Sequence, residues 1–496
     1  MKLRLATLSD RLRTMPMLKA LIPFAAGIVL AAHVALPAWF VVAAMLLCGA
    51  AALLLQRRIC LAAMLVAAGY GAALLHPTRL TVPLDRQLLF SVRITESGSD
   101  AGAVRRATGI IERWNDPATG RWYGVQAPVV LRCDSIVAPA AGERLLCCGR
   151  IRPIRGGSAN YRQLMRSRGF VGSCRLTTAE LLGRQPAVQH TFHQRAAERL
   201  QRLLPADPAH GAAAAVVRAM TIGDRSALPA GVRAAYGRSG MSHLLAVSGL
   251  HTGIVFLLTN LLLCWMSFVR RGHRIRNLLV IAAVWLFTAA AGYAPGTLRA
   301  ALMCTLLQLA CFGTSTHQAL NAWALTALLL LAVRPIWLGD ISFQLSFIAV
   351  AAILAWGLPL ARRCRTGVRW LDRPLQVLII GLVASTATAP LVSHAFGIVP
   401  LAGVLLNPLV VLSGTLIVAG GLLLLLAPLP GGWLLPATCQ IAALQNRLAE
   451  TVGSLGGAVV ETGLTARSVA IIYLLFALAT LLAWAVEPTP QLRLPK

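Results

Sequence analysis

Long apolar runs alternate along this chain with polar stretches rich in glycine and arginine, and the runs fall into two blocks. Three open the sequence, at roughly 18–36, 38–56 and 59–76. Each approaches the about 20 residues that a helix needs to cross a hydrocarbon core. The later block predicts spans at 244–268, 277–293, 297–313, 318–334, 341–360, 374–394, 398–427 and 468–486. The run at 398–427 contains Asn407-Pro408 and reads as one broken crossing or as two. Between the blocks the period changes. LLFSVRI (88–94), ATGIIERW (107–114), YGVQAPVVLRC (123–133), RLLCCGRIR (144–152) and GFVGSCRL (169–176) are short alternating segments divided by Gly, Asp and Pro, the pattern of a small all-β domain.

Five short strands suit an OB-type barrel. Residues 191–242 turn amphipathic and helical (HQRAAERLQRLL, then AAAAVVRAM), broken by GDRSALP at 223–229. Arginine on the polar face predicts helices lying at the membrane surface. Basic residues sort the sides. Lys2, Arg4, Arg11 and Arg13 flank the first run, and Arg57-Arg58 separate the second from the third. The positive-inside rule places both clusters in the cytoplasm, so three crossings deliver the β segment outside. The basic loops 270–276 and 361–373 also fall inside by the same counting. The expected fold is a polytopic α-helical membrane protein with an inserted extracytoplasmic all-β (OB-like) domain. Its parts are transmembrane helices at 1–76, the β domain at 77–190, membrane-surface helices at 191–242, a transmembrane domain at 243–486 and a short tail at 487–496. Composition agrees: 57% of residues are hydrophobic, against about 45–50% in soluble domains.

The formal net charge is +29, and all basic residues except Lys2, Lys19 and Lys496 are arginine, whose planar fork grips phosphate. From Arg79 to Arg184, 17 arginines face eight carboxylates, with Trp114, Trp122 and Tyr123 interspersed and Arg121 beside them. A basic barrel with aromatics can hold single-stranded nucleic acid by charge and stacking. The alternative is a stable basic domain whose aromatics are core. The eleven cysteines include no C-x-x-C, and the ten histidines are scattered, so neither metal nor cofactor is expected. No G-x-x-x-x-G-K-[ST] is present to cradle a nucleotide phosphate.

Chemistry concentrates in HLLAVSGLHTGIV, residues 243–255, where His243, Ser248, His251 and Thr252 enter an apolar run. Read as a helix, Ser248, His251 and Thr252 share one face by i, i+3 and i+4 spacing. Two functions compete. A serine hydrolase would need a base on the hydroxyl and an oxyanion hole, but G-x-S-x-G is broken by Ala246. A polar path would recruit further intramembrane groups, because such groups usually face a cavity or a partner. Arg299, Gln344 and Asn407 qualify, with Arg225 at the outer mouth, oriented by Asp224. Carboxylates are nearly missing from the spans, which suits a polyanion better than a cation. An exporter of another anionic polymer would share these features. No catalytic residue is assigned on the path reading.

GDRSALP followed by AAYGRSGMSHLLAVSGLHTGIVF resembles the competence domain of the ComEC family of DNA-internalisation channels. PGTLRAALM (295–303), the block at 317–353 and ATAP…N-P-L around 387–409 are similar to the same family. GERL (142–145) with ANYRQLMRSRGFVGSCRL (159–176) resembles its soluble OB-like domain. The resemblance implies a multi-pass protein of the bacterial inner (plasma) membrane that conducts single-stranded DNA into the cytoplasm during transformation. It further implies contact with membrane lipid, a membrane-anchored DNA receptor and a cytoplasmic helicase-like ATPase, with self-association as a homo-oligomer. Many members add a C-terminal metallo-β-lactamase-like domain; this sequence ends at Lys496, so degradation of the second strand is expected of another protein. Cys133 and Cys174 both fall outside on this topology, where disulfides persist, and are expected to pair, with Cys147 and Cys148 as competing partners.

Overall fold

The first three apolar runs close into helices where the sequence places them. A computed structural model describes residues 15–55, 58–75, 82–97, 104–134, 136–137, 139–154, 162, 165, 169–186, 191–204, 211–309, 316–426, 432–455 and 459–486. It begins with α1 (Pro16–His33), α2 (Ala38–Leu55) and α3 (Arg58–Leu75). Six strands follow: β1 (Gln87–Ser97), β2 (Val104–Asn115), β3 (Trp122–Asp134), β4 (Arg144–Arg150), β5 (Gly172–Leu176) and β6 (Leu181–Gln185). The remaining helices are α4 (Phe192–Leu203), α5 (Gly211–Ile222), α6 (Ala230–Arg238), α7 (Gly249–Leu262), α8 (Gly272–Ala290), α9 (Pro295–Leu309), α10 (Thr316–Val333), α11 (Ile341–Ala352), α12 (Leu358–Arg363), α13 (Arg369–Phe396), α14 (Leu401–Leu426), α15 (Leu434–Ser454) and α16 (Ala466–Val486). The chain divides into two compact units, one of residues 1–77, 302–399 and 461–496, the other of 78–301 and 400–460.

In the first unit, Phe24 and Ile28 of α1 meet Leu330 and Leu331 of α10 and Phe343 and Phe347 of α11. Polar atoms close the helix ends from within. The Tyr70 hydroxyl donates to the Val34 carbonyl (2.7 Å) and accepts from the Leu36 N–H, fastening the α1–α2 turn. Asp340 caps α11 by accepting from the Phe343 N–H at 2.9 Å. Among the described residues, six helices are long and apolar enough to cross a membrane: 16–33, 38–55, 341–363, 371–396, 409–426 and 466–484. The segments 38–55 and 466–484 are only 6% buried, so they expose apolar side chains all round. Such helices belong in hydrocarbon, and the set fits a multi-pass membrane protein.

In the second unit, the strands form one sheet in the order β5-β3-β2-β1-β4-β6, antiparallel except for the parallel β3–β5 pair. Arg152, just beyond β4, exchanges both backbone hydrogen bonds with Ser173 of β5, at 2.8 Å each. The sheet therefore curls round to meet itself. Its sixth strand, β6, is additional to the five expected. Alternate residues point inward, among them Phe90, Val92, Ile111, Val129, Leu131, Leu145 and Ile151. Outside, Glu112 accepts from Arg93 at 2.7 Å and Arg144 at 2.9 Å. Burial works to raise the Glu112 pKa, but its bonds to the two arginines outweigh this and hold the carboxyl below its usual range.

The helices of this unit wrap α5. Nine of its residues from Ala213 to Ile222 are buried, all but Arg218. Within residues 191–242, α5 therefore departs from the expected amphipathic pattern, whereas α4 turns Ala196 and Leu200 inward and α6 buries Val232, Ala235 and Tyr236 while exposing Arg233 and Arg238. Alanine gives α5 too little contrast to reveal its burial in sequence, yet lets neighbours approach closely. Gly421 of α14 makes that approach possible, since a methyl there would collide with the Thr221 hydroxyl of α5, and Gly420 does the same for α15, where a methyl would collide with the Thr438 hydroxyl. The run at 398–427 yields one helix, α14, and the run at 244–268 yields α7, starting later and ending at Leu262. Helix α15 lies in a stretch too polar to be read as a span. Its buried stripe includes Thr438, Ala442, Gln445, Asn446 and Ala449. The polar members are met: Gln445 accepts from Ser413 (3.1 Å) and Asn446 from the Tyr236 hydroxyl (2.9 Å).

The expected Cys133–Cys174 disulfide is corrected by the register. Both cysteines are free and buried. Cys133 stands opposite Leu176, and Cys174 opposite Leu131. An offset of two residues adds about 6.6 Å along the strands to the about 4.8 Å between them, and a disulfide does not bridge Cα atoms more than about 7 Å apart without backbone movement. Burial, with the charge of Asp134, pushes the Cys133 thiol up to about 11, and burial first of all takes Cys147 and Cys174 to about 12. Iodoacetamide should therefore leave all three unlabelled in folded protein at pH 8 and label all three after denaturation without reductant. Thiols that become reactive in the denatured chain only after reduction would restore the disulfide.

Candidate functional site

Ser248 is not on the helix face that i, i+3 spacing suggested; it is the N-cap of α7. Its hydroxyl oxygen accepts from the Leu250 N–H at 3.2 Å, while the Ser248 N–H donates to His251 Nδ1 at 3.1 Å. This is a capping box, with histidine in the place that Glu or Gln usually fills. Two consequences follow. The hydrogen bond joining the two residues uses the serine backbone, so the hydroxyl is not presented to the imidazole as a nucleophile must be. And because Nδ1 accepts, the neutral ring carries its proton on Nε2. His251 and Thr252 are fully buried, and among the described residues neither His251 Nε2 nor Thr252 Oγ1 has a hydrogen-bond partner. His251 is thus fixed as a donor facing the interior of this unit.

The GDRS loop after α5 is fastened to the same turn. Asp224 accepts from both Arg218 Nε (3.0 Å) and Arg218 Nη2, and from the N–H (3.0 Å) and hydroxyl (2.7 Å) of Ser226. Burial works to raise its pKa, but the Ser226 hydrogen bond and the Arg218 charge prevail and hold the carboxyl below its usual range. The ion-pair partner of Asp224 is therefore Arg218, which the sequence reading missed. Its pairing closes across the Gly223 turn, where no helical spacing announces it; an arginine ending an alanine-rich helix before Gly-Asp was the available signal. Arg225 is exposed, and its Nε donates to the Leu245 carbonyl at 3.0 Å.

The start of α9 completes the arrangement. A Cβ at Gly296 would stand 3.1 Å from the Val247 carbonyl oxygen, and one at Gly249 would stand 3.5 Å from Ala300 Cβ. Arg299, buried, lies in this close-approaching turn. His243, exposed in the preceding 3-10 turn, places Nδ1 3.2 Å from the Gly240 carbonyl. Arg225, His243, Ser248 and His251 therefore all lie on or bond to one stretch, residues 240–252, and the α9 turn that carries Gly296 and Ala300 packs against it, with Arg299 buried between those two positions in sequence. Asn407 lies in α14, but its side chain falls outside the described residues. Gln344 belongs to the other unit, where its amide donates to the Leu338 carbonyl at 2.8 Å.

In the β domain, Trp114 is core, 8% exposed, which corrects its assignment to a binding surface. It stacks on Tyr123 at 5.0 Å between ring centroids. Trp122, Tyr123 and Arg121 are exposed at the β2–β3 turn. Among the described residues, no group of three or more His, Cys, Asp or Glu is placed to hold a metal ion.

An apolar helical protein with a polar, donor-rich turn inside it defines a class of membrane protein rather than an identity. The family model described as "Competence protein" matches residues 220–487, which include the whole turn and more than half of the chain. The chain belongs to this ComEC-type competence family. It is 30% identical over 209 residues to ComE operon protein 3 of Bacillus subtilis (strain 168), covering 42% of this chain and 25% of that protein. It is 31% identical over 182 residues to an uncharacterized protein of Aquifex aeolicus (strain VF5), covering 36% of this chain and 40% of the other. The chain thus spans well under half of the length of these relatives. No solved structure matches it.

Two measurements test the local structure. Ser248→Ala should cost about 1 kcal/mol of stability, and Ser248→Asp should restore it, as for any N-cap; a serine-reactive phosphonate should label neither wild type nor variants. Asp224→Asn leaves the Arg218 guanidinium, 12% exposed, without its counter-charge, at a cost of about 3–5 kcal/mol. In thermal unfolding, adding Arg218→Gln to that variant should recover part of the loss. The Asp224 carboxylate stabilises the fold at neutral pH, and this contribution disappears as pH falls through its lowered pKa.

Proposed function

We propose that this protein conducts single-stranded DNA through the bacterial inner membrane into the cytoplasm during natural transformation, and that the groups gathered on residues 240–252 line or gate the route. One observation carries the reading. In a competence-family domain, these groups offer positive charge and hydrogen-bond donors, while the neighbouring carboxylate, Asp224, is already held by Arg218 and Ser226. Phosphate oxygens only accept, so a donor-lined route suits them and a cation would need the reverse. His251 is neutral and donates without adding charge. That matters for transport, because phosphate contacts with cations are cumulative and too many would hold the strand in place.

The curled β domain acts on this reading as an OB-like collector, with Trp122, Tyr123 and Arg121 as its stacking and charge contacts. A membrane-anchored receptor supplies the DNA. The sequence contains no nucleotide-cradling loop of the G-x-x-x-x-G-K-[ST] type, so pulling falls to a cytoplasmic helicase-like ATPase. The chain itself performs no covalent chemistry.

Position 251 allows a discriminating experiment. Glutamine can accept the Ser248 N–H and still donate, whereas glutamate can accept it but cannot donate. In a deletion strain, uptake of labelled DNA should be restored by wild type and by His251→Gln. His251→Glu should reduce it at least tenfold at equal membrane abundance. Equal uptake by the two variants would remove His251 from the route, and normal transformation in the deletion strain would refute the DNA-channel reading itself.

A further inference from the structure

Register in the β domain reveals an arrangement that sequence alone hides. Arg106 of β2 stands directly opposite Arg132 of β3, and Arg132 directly opposite Arg175 of β5. Three arginines thus stand in one row across three adjacent strands. All are exposed, and the flanking Ala107, Leu131, Cys133, Cys174 and Leu176 are buried, so the row lies on the outer face. Neighbouring strands are about 4.8 Å apart, so the row spans roughly 10 Å. One residue row away, Arg152 stands opposite Ser173 and faces the same side.

Like charges directly opposite one another destabilise a sheet. Elsewhere on this sheet the cost is removed by acids: Glu112 bridges Arg93 and Arg144, and Glu143 pairs with Arg184. In the β2–β3–β5 row, Asp134 reaches only Arg175, at 3.5 Å, where the arginine is 69% exposed. Glu96 is nearby, but it stands opposite Thr108 rather than any arginine. Among the described residues, Arg106 and Arg132 form no ion pair. The same domain therefore neutralises one set of arginines and leaves another in line.

We propose that Arg106, Arg132 and Arg175 form a phosphate-binding row that holds the backbone of single-stranded DNA on the outer face of the β domain. The inference rests on the DNA-channel reading for the identity of the polyanion, but its geometry is independent of the helical turn. It also relocates the charge contacts. Trp122 and Tyr123 begin β3, whereas Arg132 lies near its end, ten residues on and roughly 33 Å away at the usual strand rise. A bound strand that uses both would run the length of β3.

The test uses the full chain in nanodiscs of zwitterionic lipid and a fluorescein-labelled oligo-dT. Anisotropy titrations between 50 and 200 mM salt compare wild type, R106Q/R132Q/R175Q and the control R93Q. The triple variant should bind at least tenfold more weakly at about 100 mM salt, and the slope of log K against log salt should shrink by about 2, from roughly 0.7 per phosphate contact on single strands. R93Q should bind as wild type does. R132Q alone, relieved of like charge on both sides, should melt no lower than wild type, which separates lost binding from lost folding. Unchanged affinity and slope in the triple variant would overturn the proposal. So would intact oligo-dT binding together with lost binding to phosphatidylglycerol vesicles, which would make the row a lipid-headgroup surface. If the row fails while His251→Glu still blocks uptake, the channel reading stands. If deletion leaves uptake normal while the triple variant still loses oligo-dT, the channel reading falls and the row remains.

Discussion

The first turn of α7 has backbone N–H groups that no backbone carbonyl of the helix can satisfy, and each left without an acceptor weakens the helix start. Much of the second unit's candidate site is arranged around this constraint. Ser248 and His251 supply the cap, which fixes where the helix begins and which nitrogen of His251 keeps its proton. The turn before it then becomes a platform for other elements. Arg225 holds its Leu245 carbonyl, and the α9 turn comes close enough to the Val247 carbonyl that a Cβ at position 296 would stand a tight 3.1 Å from it. Structure and function share one set of atoms here: the imidazole that closes the helix with Nδ1 is left with a single outward capability, donation from Nε2.

The Arg218–Asp224 pair plays a similar double part. A buried ion pair is weak evidence for stability, since desolvation offsets much of the attraction. Its clearer effect is on polarity. With Ser226, Arg218 occupies the Asp224 oxygens, so the GDRS loop adds little available acceptor character to the neighbourhood of His251. Arg225, next in sequence, is left exposed and directed to a carbonyl.

The sequence made the gross division legible because apolar length and strand alternation are local properties. The polar turn was also visible, since polar residues in apolar runs are conspicuous. What it could not disclose was geometry. Ser-x-x-His has the same spacing whether it marks a helix face or a capping box, so the Ser248–His251 pair looked like catalytic chemistry. Helix α15 escaped notice because Thr438, Gln445 and Asn446 dilute its apolar stripe, although each has a reason to be there in a buried helix with hydrogen-bonding neighbours. Cys133 and Cys174 looked like partners until the β3–β5 register set them two residues out of step. The arginine row was invisible for the same reason: Arg106, Arg132 and Arg175 are far apart in sequence and meet only through strand pairing.

Charge economy connects the two parts of the second unit without any assumption about their relative placement. The chain has 46 basic residues and 17 acidic ones, so carboxylates are too few to give each arginine its own. Where the acids are placed then matters more than where the arginines are. In the β domain, Glu112 and Glu143 are placed on β1, β4 and β6 arginines, leaving Arg106 and Arg132 without an ion pair among the described residues. In the helical part, Asp224 is placed on Arg218, leaving Arg225 exposed. A protein whose excess charge served only solubility would gain nothing by aligning unpaired arginines across strands, since the repulsion costs stability wherever they stand in register. Alignment is useful only to a ligand with its own regular spacing of negative charge, and a nucleic-acid backbone has that property.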